Sequence, residues 1–124
     1  MGWVYGIQSG PFIKVGVGNS IQARLRTMNL YNPHPCKVVL RRQCDEPYFV
    51  EKRIHELLKL HSIGREWFAA TALQVREAAK IAFKDLVAKR YAQIKWEKES
   101  AERAERRAVE KAANLGTERG KTAS

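Results

Sequence analysis

Residues 3–17 read WVYGIQSGPFIKVGV, two short runs rich in β-branched and aromatic side chains on either side of Ser9-Gly10-Pro11. A helix does not pass through a Gly-Pro step, and neither run is long enough to make a helix of its own. The start of the chain is thereby committed to a hairpin of residues 3–8 and 12–17. A hairpin alone is marginal in water, so its apolar side chains have to be covered by the rest of the chain.

Beyond Gly18 the period changes. Asn19 or Ser20 can cap a helix in which Ile21, Leu25 and Met28 recur at helical spacing, with Gln22 three residues after Asn19 in the manner of a capping box. That helix runs to about Asn29, because Pro33 and Pro35 force LYNPHP, residues 30–35, into an extended loop. CKVVLRRQ, residues 36–43, reads as a third strand. DEPYF then opens a second helix with acids and a proline near its start, and Val50, Ile54, Leu57 and Leu58 form its buried stripe. It ends near GREWF, residues 64–68.

After Thr71 the pattern is helical to about Ala113, with Val75, Ala79, Ala82, Phe83, Leu86 and Val87 on one apolar face. Residues 97–113, EKESAERAERRAVEKAA, are charged all round, and Glu99–Arg103 and Glu102–Arg106 are spaced as i,i+4 pairs. Ala101, Ala104 and Ala108 make only a thin seam for a coiled coil. Residues 114–124, NLGTERGKTAS, read as a disordered tail. The expected fold is α+β: a small three-stranded antiparallel sheet flanked by helices in the order β-β-α-β-α, with a long C-terminal helix after it.

A chain of 124 residues suits one domain with a modest core. Lys and Arg outnumber Asp and Glu by 23 to 13, for a net charge of +10. That balance suits a polyanionic partner, nucleic acid before membrane surface, although a merely soluble basic surface carries the same charge. The excess is uneven: residues 1–96 hold sixteen basic and seven acidic side chains, residues 97–124 seven and six. No run approaches the roughly 18 apolar residues of a membrane span. Two cysteines and no charged-then-apolar opening lead us to expect a reduced, cytoplasmic chain without a membrane partner.

Several motifs fail on their spacing. GVGNS, residues 16–20, precedes a helix but lacks the third glycine of a dinucleotide fingerprint and the Gly-Lys-Ser/Thr of a phosphate loop; Gly16 and Gly18 read instead as the strand's turn into the helix. Cys36 and Cys44, with His34 nearby, match no zinc spacing and read as core or loop thiols. One constellation remains. Tyr5 and Lys14 come together if the Ser-Gly-Pro turn pairs the strands, Arg24 lies at the rim of the first helix, and Glu51 and His55 share a face of the second. A base, cations and a carboxylate suit phosphodiester hydrolysis. Taken singly, each also fits a plain role: a solvated glutamate, a packed tyrosine, a hydrogen-bonded histidine.

The order of these motifs over residues 3–68 resembles the GIY-YIG nuclease superfamily, in particular a branch of small phage and bacterial proteins. Trp3-Val4-Tyr5 stands where that family has Gly-Ile-Tyr and Lys14-Val15-Gly16 where it has Tyr-Ile-Gly. Arg24 matches its helix-borne arginine, Glu51-Lys-Arg-Ile-His55 the branch's Glu-x-x-x-His helix, and Glu66-Trp67-Phe68 its closing motif. The resemblance implies that Tyr5 takes a proton from the attacking water, that Arg24 stabilises the scissile phosphate, and that Glu51 holds one divalent ion, Mg²⁺ or Mn²⁺. His55 and Lys14 complete the expected catalytic set, while Arg26, Arg41 and Arg42 are the expected nucleic-acid contacts. Residues 1–70 are then a GIY-YIG-like catalytic domain, 71–96 a helix packed on it, 97–113 a solvated helical arm and 114–124 the tail.

Lys14 is the departure. It supplies charge and donors but no phenol; it can hold a phosphate, assist proton transfer if its pKa is lowered, or merely block edge pairing. Three functions remain open. The first expectation is a metal-dependent endonuclease acting on DNA, with RNA left open. The alternatives are a catalytically weak or inactive nucleic-acid-binding module on the same fold, and an assembly protein working through its long C-terminal helix.

Overall fold

The computed structural model describes the backbone of residues 1–123 and the side chains of residues 1–115. Contacts divide the chain into two units, Met1–Leu86 and Val87–Ser124. In the first unit β1 (Gly2–Ser9) and β2 (Phe12–Gly18) form the hairpin, with Tyr5 opposite Gly16 and Ile7 opposite Lys14. Gly10 takes φ 58° in the two-residue turn, which a glycine adopts without strain. β3 (Cys36–Cys44) pairs antiparallel with the other edge of β1, and its register slips between Gly6 and Ile7. The extra residue there is Val39, whose carbonyl accepts from Arg76 Nε at 3.0 Å. A bulge that removes a carbonyl from the ladder thus has its acceptor satisfied by a helix side chain.

The expected three-stranded sheet is wrong. Among the described residues the sheet has five antiparallel strands in the order β3-β1-β2-β5-β4, accompanied by three α-helices. The added strands are β4 (Ser62–Gly64) and β5 (Trp67–Phe68), and β5 covers β2 only at Ile13 and Lys14. Strands of three and two residues carry no readable alternation. They form because the turn through Gly64 (φ 120°) and Arg65 (φ 53°) folds this segment back along the free edge of β2.

The helices divide between the two faces. α1 (Ile21–Tyr31) is capped by Ser20, whose Oγ accepts from the Ala23 amide at 3.2 Å; Asn19 does not cap, so its spacing to Gln22 is incidental. It lays Ile21 and Met28 on Tyr5, Ile7 and Cys36. α2 (Pro47–Leu57) and the start of α3 (Ala72–Ala123) cover the other face, packing Val50, Ile54, Val75, Ala79 and Leu86 on Val4, Ile13 and Val15. Arg53 on α2 donates to Asp85 Oδ2 on α3 at 2.6 Å. Cys36 and Cys44 are free, buried thiols at the two ends of β3.

The second unit is the remainder of α3. Val87, expected on the apolar face, is 61% exposed, and Ile94 and Val109 are exposed as well. Arg103 donates to the Glu99 backbone carbonyl at 3.4 Å. The expected tail lies, beyond Leu115, outside the described side chains. Among the described residues, no helix is long and apolar enough to cross a membrane.

Candidate functional site

Strand parity sets the first half of the site. Trp3, Tyr5 and Ile7 point to the α1 face of β1, and the residues opposite Ile7 and Tyr5 on β2, Lys14 and Gly16, share that face. Tyr5 is 2% exposed and lies across Gly16, where a Cβ would stand 2.6 Å from the phenolic oxygen. Gly16 is therefore in β2 to make room for the Tyr5 ring rather than to turn the strand into the helix. Arg24, on the exposed side of α1, donates from Nε to the Tyr5 hydroxyl at 3.2 Å. Tyr5, Val17, Ser20, Ala23, Arg24 and Thr27 line a shallow groove of about 370 Å³ there.

The second half arrives from the opposite face, around the β2 edge that β5 leaves open. His55 donates from Nε2 to the Val15 carbonyl at 2.9 Å, and its ring packs on Phe68 at 5.1 Å between centroids. One turn earlier on α2, Glu51 Oε1 lies 3.8 Å from the same nitrogen. The Val15 amide donates to the Glu66 carbonyl at 3.0 Å, and the Glu66 carboxylate lies 3.9 Å from Lys14 Nζ. The sequence marks Glu66 only as part of a closing motif, without a role. Its place opposite Val15 depends on the register of a two-residue strand, which no periodicity reveals.

The charges act on one another across this edge. Burial raises the Tyr5 pKa; Arg24 opposes that shift, while Glu66 and Glu51 add to it. The buried phenol therefore holds its proton firmly. Burial lowers the Lys14 pKa, as does the nearby Arg24 charge, while Glu66 works the other way. Burial also raises the Glu51 pKa, and Glu66 adds to the shift by its charge and by sharing a hydrogen bond, with His55 opposing. Two carboxyls that share a proton disfavour a second negative charge between them.

The three expected contact arginines are not gathered. Arg26 is exposed on α1. Arg41 lies over the Trp3 ring, 5.0 Å from its centroid, and Arg42 lies over Phe83 of α3 at 3.8 Å. Adjacent residues on a strand face opposite sides, so Arg41 and Arg42 cannot serve one surface. Among the described residues, no group of three or more His, Cys, Asp or Glu side chains is placed to hold a metal ion.

The T5orf172 domain matches residues 2–83, from the start of β1 into α3. The chain belongs to the T5orf172 domain family. That membership links this T5orf172 domain to the GIY-YIG nuclease-associated superfamily, without singling out a Lys-Val-Gly branch. No curated protein and no solved structure matches the chain.

Proposed function

We propose that this T5orf172 domain is a nucleic-acid-binding module that holds a backbone phosphate between Arg24 and Lys14, with phosphodiester hydrolysis weak or lost. The observation that carries the reading is the hydrogen bond from Arg24 Nε to the buried Tyr5 hydroxyl at an open groove, with Lys14 on the same face of the sheet and near enough to Arg24 for the two positive charges to act on each other. A phosphate in that groove would accept from Arg24 and the phenol, with the Lys14 ammonium as a nearby positive charge. A general base must instead give up its proton near neutral pH, which burial makes harder for Tyr5. The second-motif phenol is absent, and the Nε2 of His55 is engaged by Val15. The net charge of +9 in residues 1–96 supplies the long-range attraction to the polyanion, with DNA the favoured partner.

Metal-dependent DNA cleavage is the second reading, and the meeting of Tyr5, Arg24 and Glu51 at one strand edge favours it. The residues fit one divalent cation in part: Mg²⁺ is held by one or two carboxylates, with water and phosphate oxygens completing its shell, and Glu51 beside Glu66 offers such a pair. Glu51 would hold the ion, which when bound supplies positive charge to the phosphate oxygens. Arg24 would stabilise the charge that develops on the phosphate, and Tyr5 would orient the attacking water through its hydroxyl.

Two assays on one preparation separate the readings: DNA binding in chelator, and nicking of supercoiled plasmid in Mg²⁺ or Mn²⁺. Binding without metal, and no nicking above that of Glu51→Gln, is the expected outcome. Metal-dependent nicking that Glu51→Gln abolishes would establish the endonuclease instead.

A further inference from the structure

Two residues before Tyr5 on β1, and on the same face of the sheet, stands Trp3, half-buried beneath the Arg41 guanidinium. In the resemblance to Gly-Ile-Tyr, Trp3 stands at the glycine position. A groove of about 470 Å³ opens between Trp3, Arg41 and the first turn of α1, where Asn19, Ser20 and Gln22 supply polar edges and Leu25 an apolar wall. Among the described residues, no acidic side chain lines it. Ser20 also lines the groove beside Tyr5 and Arg24, so the two grooves meet at the N-cap of α1.

A guanidinium lying on an aromatic face is a platform with one side open. A nucleobase stacks on such a plane, or on the ring itself once the arginine swings out to a phosphate. The cationic, acid-free lining suits the backbone that accompanies the base. The two grooves share Ser20, so one strand of nucleic acid passing the N-cap of α1 can set a phosphate at Arg24 and a base on Arg41. Paired bases in a duplex have both faces covered by their own stack and cannot offer one.

We infer that the Trp3–Arg41 groove is a base-stacking subsite, and that the nucleic acid held at Arg24 is single-stranded or carries an unpaired nucleotide beside the held phosphate. The inference rests on the phosphate-binding function proposed above. The test is fluorescence anisotropy of the full chain with three short labelled DNA probes: a single strand, the same strand with abasic sites throughout, and the duplex. The single strand should bind about tenfold more tightly than either of the others. Trp3→Leu should erase most of that preference while binding to the abasic strand remains; Arg41→Gln should erase the preference and also weaken binding of the abasic strand, because it removes the groove's cation. The probe comparison uses the unaltered protein and so does not depend on a variant that folds. Equal affinity for normal and abasic strands, or tighter binding of the duplex, would overturn the subsite and leave the phosphate site standing. Failure to bind any of the three would overturn both.

Discussion

The two faces of the sheet are built to different ends. On one, α2 and the start of α3 lay a continuous apolar wall over Val4, Ile13 and Val15, and Ile54, Val50 and Val75 are fully buried. On the other, α1 alone covers Tyr5 and Ile7 with little more than Ile21 and Met28, and leaves Trp3, Lys14 and Arg24 within reach of solvent. The better-covered face supplies most of the cohesion. The less-covered face keeps polar and aromatic side chains at a fixed spacing on a rigid strand pair, as a recognition site requires. Substitutions on the first should therefore register as stability and on the second as binding.

The largest effect is expected from Ile54→Ala. It opens a cavity in the fully buried wall and should cost about 2–5 kcal/mol in denaturant unfolding, with nucleic-acid affinity retained wherever the protein remains folded. Gly16→Ala should blur the division, because its Cβ would meet the Tyr5 hydroxyl at 2.6 Å with the ring carbons close behind. Overpacking costs about 1–3 kcal/mol, and displacing the phenol breaks the Arg24 hydrogen bond, so stability and affinity should fall together. Combining Gly16→Ala with Tyr5→Leu should recover stability but not affinity.

These contrasts also show what is legible from the residues alone. The hairpin, α1, β3 and α2 are readable because each is long enough to repeat its period, and turn pairing explains why Tyr5 and Lys14 share a face of the sheet, with Arg24 beside Tyr5. β4 and β5 are not readable, since Ser62–Gly64 and Trp67–Phe68 owe their strand geometry to the free edge of β2 rather than to their own pattern. Glu66 is left without a role for the same reason. Gly16 misleads because the phenol that occupies the space of its missing side chain belongs to another strand. Spacing after Phe83 and Leu86 puts Val87 on the buried face, yet it is exposed at 61%. Spacing shows which side chains share a helix face, not how far along the helix a partner surface extends.

Arg24→Ala should sharpen the comparison. The side chain is exposed and alanine suits a helix, so the stability cost should be limited to the lost Tyr5 hydrogen bond, about 1 kcal/mol. DNA affinity should fall about tenfold, the value of a charge-assisted phosphate contact. The smallest effect is expected from Glu51→Gln. Burial and Glu66 raise the Glu51 pKa, so the folded state holds that proton more tightly than the unfolded chain does. The stability this contributes is present below the unfolded carboxyl pKa and lost as pH rises through the folded value. A glutamine side chain cannot ionise, so Glu51→Gln should be modestly more stable than the parent at pH 7 and indistinguishable from it at about pH 3, read as a difference in urea midpoints.

The division of labour between the faces is tested most directly by following backbone amide resonances while a short single-stranded DNA is titrated into the protein in chelator. The expected shifts fall on β1, on Lys14 and Gly16 of β2, on Ser20–Arg24 at the start of α1, and on Arg41, with Ile54, Val75 and Ala79 unmoved. Shifts concentrated on the outer surfaces of α2 and α3, or on residues 97–113, with the Tyr5–Arg24 groove silent, would contradict it.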